Sequence, residues 1–291
     1  MTIMTTLLTF ACMALNPIDT TVLKQKIVTE FNKQPQAVFA VAVKDLSSGN
    51  TFLYNDQLEF HAASTMKTPV LVEAYKQAKE GKFSLSDSML VKNSFESIVD
   101  GSLYSLDSTD DSEKDLYSKI GARLPISDLL YKMITKSSNL ATNLIIDLVK
   151  APNVNASMRK LGASKIQVLR GVEDGKAYAK GLNNITTAYD LMLIMEAIAN
   201  GTAVDKKSGE EMIKILMDQY FRDIILAKLP TDVKAATKSG NITAVCHDSG
   251  IVFLPDGRKY VIVLLSKGIP QQSVATEILS TVSRIVYDHL Q

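Results

Sequence analysis

The sequence predicts an α/β (α+β) protein in which one antiparallel sheet is assembled from both chain ends and flanked by helices, with an all-helical lobe inserted between them. Strand-like runs occur near both ends, at residues 37–45 and 51–55 and again at 245–254 and 258–266. Helical periodicity dominates the stretch between, from about residue 64 to 216. The chain has 291 residues, 46% of them hydrophobic, which is enough to bury one large core or two lobes.

The first sixteen residues carry no charge and contain an apolar run, 7–15, that is too short to span a bilayer. Such a run is typical of a secretory signal, and Cys12-Met13-Ala14 offers an approximate small-x-small cleavage site. Secretory signals usually have a Lys or Arg ahead of the apolar run, and this segment has none. A plain N-terminal extension is therefore the alternative. We interpret residues 1–16 as a signal peptide or N-terminal extension and expect a periplasmic or secreted protein.

From Pro17 onward the elements follow one another clearly. Residues 17–33 predict a helix, the turn Ser47-Ser48-Gly49-Asn50 joins the first two strands, and Pro255-Asp256-Gly257 joins the last two. A closing amphipathic helix covers 272–290. We therefore predict an α/β lobe from residues 17–62 and 217–291, a helical lobe from 63–216, and a cleft between the lobes.

Composition excludes several function classes. Lys and Arg total 32 against 31 acidic residues, so no basic field is available for nucleic acid or an anionic membrane surface. Two cysteines and three scattered histidines predict neither a disulfide framework nor a metal site. No G-x-S-x-G, G-x-G-x-x-G or P-loop sequence is present. We expect a monomer without cofactor or stable membrane anchor, acting on a small molecule.

Two irregular segments interrupt the helical part. Residues 100–115 are rich in Asp and Ser without the ligand spacing of a calcium loop, which indicates a solvated loop. Residues 168–184 are long for a connection and are a candidate functional loop.

Ser64 and Lys67 stand three positions apart at the start of a predicted helix, a spacing that puts both on one face. A serine becomes a nucleophile when a nearby base takes its proton, and a lysine of lowered pKa is such a base. Alone, the pair is better explained by a serine that caps the helix. A second S-x-x-K, Ser157 to Lys160, is interpreted as surface helix.

The order of three motifs decides between these interpretations. Ser137-Ser138-Asn139 and then Lys238-Ser239-Gly240 follow downstream, and S-x-x-K, S-x-N and K-[ST]-G form the set of penicillin-interacting serine enzymes. On these motifs the chain, from about Pro17 to Leu290, resembles the class A β-lactamase-like serine hydrolases. Two decoys, Ser48-Gly49-Asn50 in a turn and Lys207-Ser208-Gly209, where Ser208 and Glu211 suggest a capping box, lack this setting.

The resemblance implies roles for matching residues. Ser64 would be acylated with help from Lys67, and Ser137 would pass a proton to the leaving nitrogen. The implied substrate-binding residues are Asn139, Lys238, Ser239, Gly240 and Asn241. Lys238 and Ser239 would hold a substrate carboxylate. The backbone N–H groups of Ser64 and Asn241 would form the oxyanion hole.

Glu173 corresponds to the glutamate that activates the deacylating water in class A enzymes, with Asp174 as the neighbouring alternative. Several family features differ. Ala177 replaces an asparagine, Ser138 replaces the aspartate of S-D-N, and Ser249 lies near the place of a carboxylate-binding arginine. The segment 100–115 looks like an insertion bordering the cleft.

Three functions remain open from the sequence. A serine β-lactamase acting through an acyl-enzyme is preferred. The alternatives are a carboxylesterase or D-Ala-D-Ala peptidase on the same fold, or a β-lactam-binding sensor that acylates without turnover. The pair His247-Asp248 is interpreted as structural, because neighbouring strand residues point to opposite faces.

Overall fold

The computed structural model describes residues 20–291, so the predicted signal segment 1–16 and the first residues of the predicted helix 17–33 lie outside the described residues. The helices are α1 (Thr20–Phe31), α2 (Lys67–Lys79), α3 (Ile126–Thr135), α4 (Asn139–Val149), α5 (Ala151–Lys160), α6 (Gly175–Ala179), α7 (Ala188–Ala199), α8 (Lys206–Met217) and α9 (Gln272–Leu290), with 3₁₀ helices at Ala63–Met66 and Lys114–Lys119. Within this part of the chain, no helix is both long and apolar enough to cross a lipid bilayer.

The strands are β1 (Val38–Asp45), β2 (Thr51–Tyr54), β3 (Phe60–His61), β4 (Ser88–Leu90), β5 (Phe95–Glu96), β6 (Leu103–Tyr104), β7 (Arg123–Pro125), β8 (Ile185–Thr186), β9 (Lys234–Ile242), β10 (Val245–Phe253) and β11 (Lys259–Lys267). The main sheet has the order β2-β1-β11-β10-β9 with antiparallel pairs throughout. Strands from both chain ends therefore share one sheet, and the predicted fold class is confirmed. The stretch between β2 and β9 is not purely helical, because it also contains the strand pairs β3–β8, β4–β7 and β5–β6.

Helices cover both faces of the main sheet, which explains why its central strands read as continuous apolar runs. Alternate side chains of a strand point to opposite faces. Val41 packs with α1 and α9 residues such as Ile27 and Val282. Its neighbour Ala42 belongs to the core on the other face, with Val70 of α2 and Leu191 of α7. This second face carries the helices that bring the predicted site residues to the sheet.

Two details of the motif analysis were wrong. Ser157 is not on an exposed helix face, because it is buried in α5 and its hydroxyl donates to the carboxylate of Glu73. Ser208 does not cap a helix, since α8 already begins at Lys206 and the Asp205 side chain accepts from the Ser208 N–H. Neither Ser157 nor Ser208 lies in a setting that suits nucleophilic chemistry.

The interpretation of residues 100–115 as a solvated loop was also wrong in part. Asp111 is only 2% exposed, and Glu113 and Leu116 are buried next to it. Leu116 belongs to the same core as α3 and α4. The residues on either side of Asp111, Asp110 and Ser112, line the cleft, as expected for an insertion that borders the site.

Candidate active site

Ser64 lies on the 3₁₀ turn that leads into α2. The residues at the N-cap positions of the 3₁₀ helix and of α2 are Ala62 and Met66, neither with a side-chain cap bond. Ser64 therefore caps neither helix, and the explanation of this serine as a helix cap is not supported. Its side chain is half-buried and faces the cleft, where an exposed hydroxyl can meet a substrate.

Lys67 lies one turn after Ser64 and is fully buried. Its ammonium donates to the Ser137 carbonyl at 2.6 Å, to Ser137 Oγ at 3.1 Å and to Asn139 Oδ1 at 3.2 Å. Burial, and then the charge of Lys238, hold the pKa of Lys67 well below its usual range, against the opposing charges of Asp111 and Glu173. An amine with a lowered pKa loses its proton at a lower pH than an exposed lysine does, so more of it is unprotonated and available as a base near neutral pH.

The S-x-N segment sits at the N-terminus of α4. Ser138 is the N-cap, and its side chain accepts from the N–H of Ala141. Ser137 just before it adopts left-handed backbone geometry, with φ of 56°. The Asn139 side chain accepts from Lys67 on one side and donates to Glu173 Oε1 at 2.8 Å on the other. Asn139 thus joins the Ser64–Lys67 turn to the loop that carries Glu173.

Glu173 is half-buried next to Asn139 and, like Ser137, has a left-handed backbone, with φ of 62°. Its second oxygen accepts from the Asp107 N–H at 3.2 Å. Burial raises the pKa of Glu173 above its usual value, although the Asn139 and Asp107 hydrogen bonds oppose the shift. A raised pKa brings a carboxylate closer to the range in which it can act as a general base.

The loop around Glu173 is fixed by side chains on both sides. Asn143 of α4 exchanges two hydrogen bonds with the backbone of Val172, at 2.7 and 3.0 Å. Arg170 donates to the Leu182 carbonyl and to Asn183 Oδ1, so it bridges the two ends of the loop without an aspartate partner. These contacts hold the strained Glu173 backbone in place.

Asp174, the alternative to Glu173, is placed differently. It is 1% exposed, and its carboxylate accepts from Ser97 Oγ, the Ile98 N–H and the Ala177 N–H. These partners use it to cap α6 and to anchor residues 97–98. Asp174 therefore has a structural environment away from Ser64.

Lys238 approaches the same serine from the sheet. It is fully buried on β9 and donates to Ser137 Oγ at 3.1 Å and to the Ser239 carbonyl at 2.8 Å. Burial lowers its pKa to about 7, while the charge of Asp248 opposes the shift. Ser249 pairs with Lys238 in the sheet and its hydroxyl donates to the Lys238 carbonyl. The amino groups of two lysines, Lys67 and Lys238, therefore converge on Ser137.

Gly240 lies against the backbone of the Ser64 turn. A Cβ atom at this position would be 2.8 Å from the Ser64 nitrogen and 2.9 Å from the Thr65 nitrogen, closer than real Cβ contacts. The glycine of K-S-G is thus the residue that lets β9 pass next to the N–H of Ser64. This contact fixes the distance between Ser64 and the strand that carries Lys238.

We expect Gly240→Ala to lower the rate of Ser64 acylation by about 100-fold, because the added methyl group displaces the Ser64 backbone by a fraction of an ångström. Stopped-flow absorbance with nitrocefin measures the rate. Gly250→Ala is the matched control. Gly250 is on β10, and its Cβ would meet Thr237 and Ala236 of β9, the strand of Gly240, rather than the Ser64 turn. It should lower thermal stability but leave the acylation rate of the folded protein within a few-fold of wild type. Equal acylation rates for Gly240→Ala and wild type would contradict the predicted constraint.

The convergent groups surround a cavity of about 300 Å³. Its lining includes Ser64, Ser137, Asn139, Ser239 and Asn241, with Asp110 and Ser112 at one side and Phe221, Asp223 and Gln272 at another. Within residues 20–291, the Asn241 side-chain oxygen is a buried acceptor that has no hydrogen-bond partner. It is available to a ligand N–H group.

His247 plays a supporting part beneath the site. It is fully buried, burial lowers its pKa to about 4, and its Nε2 lies 3.0 Å from the His61 carbonyl. The His61 imidazole in turn accepts from the Ala63 N–H. These bonds hold the strand β3 that leads into the Ser64 turn, which agrees with a structural interpretation of His247.

The structure brings residues of all three motifs to one cavity, and Glu173 reaches it through its hydrogen bond with Asn139. Three further residues, which the sequence did not single out, touch or support these groups: Asp107, Asp111 and Asn143. The sequence did contain a signal for Asp111. Position 138 is a serine where the class A β-lactamase-like family has an aspartate, and the chain has an Asp-rich insertion at residues 100–115. Among the described residues, no group of three or more His, Cys, Asp or Glu side chains is arranged to hold a metal ion.

Comparison with known proteins gives consistent matches. The model of the beta-lactamase enzyme family matches residues 22–290. Beta-lactamases CARB-3 and PSE-4 of Pseudomonas aeruginosa are each 22% identical over 207 residues, 70% of this chain and 67% of theirs. The beta-lactamase of Sphaerobacter thermophilus DSM 20745 has a TM-score of 0.80 at 23% identity, covering 94% of this chain and 98% of its own. PBP-A has a TM-score of 0.81 at 26% identity with the same coverage.

Proposed function

Since the chain belongs to the beta-lactamase enzyme family, we propose that it is a serine β-lactamase that hydrolyses the β-lactam amide through an acyl-enzyme on Ser64, with water activated by Glu173. β-Lactam hydrolysis in general is supported by the family and its named members. The class A mechanism and the residue roles are our proposal. The observation that carries them is the Asn139 side chain, which links Lys67 and Glu173 by hydrogen bonds.

In the acylation step, Ser64 Oγ attacks the β-lactam carbonyl carbon and loses its proton to the neutral Lys67 amine. The ring C–N bond then breaks, and Ser137 donates its hydroxyl proton to the departing nitrogen and is reprotonated from Lys67. The Lys67–Ser137 distance of 3.1 Å supports this relay. Lysine serves as the base because burial and the Lys238 charge disfavour its ammonium form.

Substrate binding uses the sheet side of the cavity. The positively charged Lys238 and the Ser239 hydroxyl are proposed to bind the substrate carboxylate by charge-assisted hydrogen bonds. The N–H groups of Ser64 and Asn241 would stabilise the developing oxyanion. The unpaired Asn241 side-chain oxygen supplies an acceptor for a substrate amide N–H. Because Ser249 stands near the place of the family arginine, the carboxylate depends on fewer cationic groups here.

In deacylation, Glu173 is proposed to take a proton from a water molecule whose oxygen attacks the acyl carbonyl carbon. The bond between Ser64 Oγ and the acyl carbon then breaks, and the proton held by Glu173 passes to Ser64 Oγ, which restores both residues and releases the product acid. Asn139 holds one Glu173 oxygen and the Asp107 N–H holds the other. Ala177 is buried and cannot hold the water as the family asparagine does. Positioning of the water therefore falls to Glu173 and Asn139. Export to the periplasm or secretion, as predicted from the N-terminal segment, is part of the proposal.

The test is turnover of nitrocefin and penicillin G by the wild-type protein, followed by intact-protein mass spectrometry. We expect steady-state hydrolysis over many turnovers, with an adduct only during turnover. One equivalent of acylation and no further hydrolysis would replace the proposal by the sensor. Activity confined to p-nitrophenyl esters, or release of D-alanine from a D-Ala-D-Ala peptide alone, would replace it by an esterase or peptidase. A single-site mutant of PBP-A has been solved as an acyl-enzyme complex with penicillin G, which makes penicillin G a suitable probe.

A further inference from the structure

We propose that Asp111, on the segment 100–115, is a positioning residue that supplies the buried carboxylate for the S-x-N segment, in place of a carboxylate at position 138. The inference rests on the proposed function, because it assigns a task within the same catalytic site. It is carried by the contacts of Asp111 with the start of α4. It also gives a reason why the aspartate of S-D-N can be a serine in this chain.

One oxygen of Asp111 makes the contacts that matter. Oδ2 accepts from the backbone N–H groups of Asn139 and Leu140, at 2.9 Å each, and lies 3.4 Å from Ser138 Oγ. It also accepts from the Tyr117 hydroxyl at 3.1 Å. The first N–H groups of a helix have no partner inside the helix, and an anion there is favourable. Asp111 therefore caps α4 from another part of the chain.

The cap acts on the residue that links the two halves of the mechanism. The Asn139 N–H is held by Asp111, while the Asn139 side chain contacts both Lys67 and Glu173. Rotation or fraying of the first turn of α4 would move this side chain away from both partners. Asp111 touches neither the cavity nor a reacting atom directly, so its effect is on geometry and charge.

The segment is docked firmly enough to hold such a carboxylate. Glu113 forms an ion pair with Lys132 of α3 at 2.6 Å, Ser112 Oγ donates to the Lys136 carbonyl, and Leu116 is fully buried. Earlier in the segment, the Asp107 N–H donates to Glu173. The same insertion therefore contacts the S-x-N segment and the proposed general base.

Ser138 and Asp111 are close enough that one carboxylate can serve in either position. Ser138 is fully buried and already accepts from the Ala141 N–H. An aspartate at an N-cap position accepts from the second or third N–H group of its own helix, here Leu140 or Ala141, and the Leu140 N–H is one that Asp111 already holds. Two carboxylates at both positions would repel each other in a buried place. The double variant Asp111→Ser/Ser138→Asp, which moves the carboxylate from one position to the other, is therefore predicted to keep the acylation rate that each single substitution lowers.

The test compares wild type with Asp111→Ser, Ser138→Asp and the double variant Asp111→Ser/Ser138→Asp, using the acylation rate of Ser64 by penicillin G from quenched-flow mass spectrometry. We expect each single variant to acylate about 100-fold more slowly, since a displaced catalytic group costs this much. The double variant should recover to within about tenfold of wild type. Asp115→Ser, which removes an exposed carboxylate from the same segment, is the matched control and should acylate at the wild-type rate.

A pH profile separates positioning from folding. The charge of Asp111 raises the pKa of both Lys67 and Glu173, so its neutralisation in Asp111→Asn, a variant of the same shape, should move the acid limb of acylation to lower pH. Lys238 acts on Lys67 in the opposite direction and is unchanged in the variant. A single variant that acylates like wild type, a double variant no faster than the singles, or an unmoved limb would overturn the inference. A wild type that never acylates would instead refute the proposed function.

Discussion

Ser64→Ala is expected to abolish nitrocefin hydrolysis and covalent labelling by penicillin G, with a loss of about 10⁴-fold or more in kcat/KM. The reason is that the variant lacks the only proposed atom able to form the acyl bond, while Lys67, Ser137 and Lys238 keep their mutual hydrogen bonds. Those contacts involve no Ser64 atom, so the variant should fold and retain the thermal stability of wild type. Steady-state kinetics and intact mass measured on the same sample check both statements.

Ser157→Ala is the matched control, because Ser157 belongs to the second S-x-x-K sequence of the chain. Its buried hydroxyl donates to Glu73, so its loss should cost about 1–3 kcal/mol of unfolding free energy while acylation of the folded protein stays at the wild-type rate. Residual hydrolysis by Ser64→Ala above about 1% of wild type would show that another group attacks the substrate.

Glu173→Gln is expected to acylate and then stop, so that a penicillin G adduct accumulates in the intact mass. The amide keeps the size of the carboxylate and can still accept from Asn139, but it cannot take a proton from water. Loss of a general base costs about 10²–10⁴-fold, and here the loss should appear in deacylation. A pre-steady-state burst of one equivalent followed by slow release measures it.

The pH dependence of deacylation provides a second check. Burial raises the pKa of Glu173, so the carboxylate binds its proton at a higher pH than an exposed glutamate does. A general base works only when deprotonated, and deacylation should therefore fall as pH drops through this raised value. In Glu173→Gln the limb should vanish, whereas Asp174→Asn should retain it, since Asp174 is bonded to Ser97 and the 98 and 177 backbone. A limb that persists in Glu173→Gln would identify another base.

Much of this architecture could be predicted because it follows from local sequence patterns. The strands of the main sheet and the long helices follow hydrophobic periodicity, and the predicted and observed bounds of α9 coincide. The three motifs are short and have fixed spacing, so their order along the chain indicated that they meet. Their meeting point needed the structure, because Lys67 and Lys238 both reach Ser137 across long stretches of chain.

The role of residues 100–115 could not be predicted in the same way. A run of Asp and Ser has the composition of a solvated loop. The local sequence does not show that this segment packs against the rest of the protein. Asp111 is buried because Leu116 fills a core position and because the N-terminus of α4 offers unpaired N–H groups. The conformation of Glu173 is similarly a result of tertiary contacts, since a glutamate has no local preference for positive φ.

The sheet order has a consequence for when the enzyme becomes active during synthesis. Val38 of β1 pairs with Lys267 of β11, and β9 and β10 are joined to the sheet beyond β11. Such pairings between distant parts of a chain close late and slowly. The segments that carry Ser64, Asn139 and Glu173 are therefore made well before β9 can bring Lys238 and Gly240 to them. A nascent chain therefore contains Ser64 before β9 is available beside it, and the complete cavity forms only when nearly the whole polypeptide has been made.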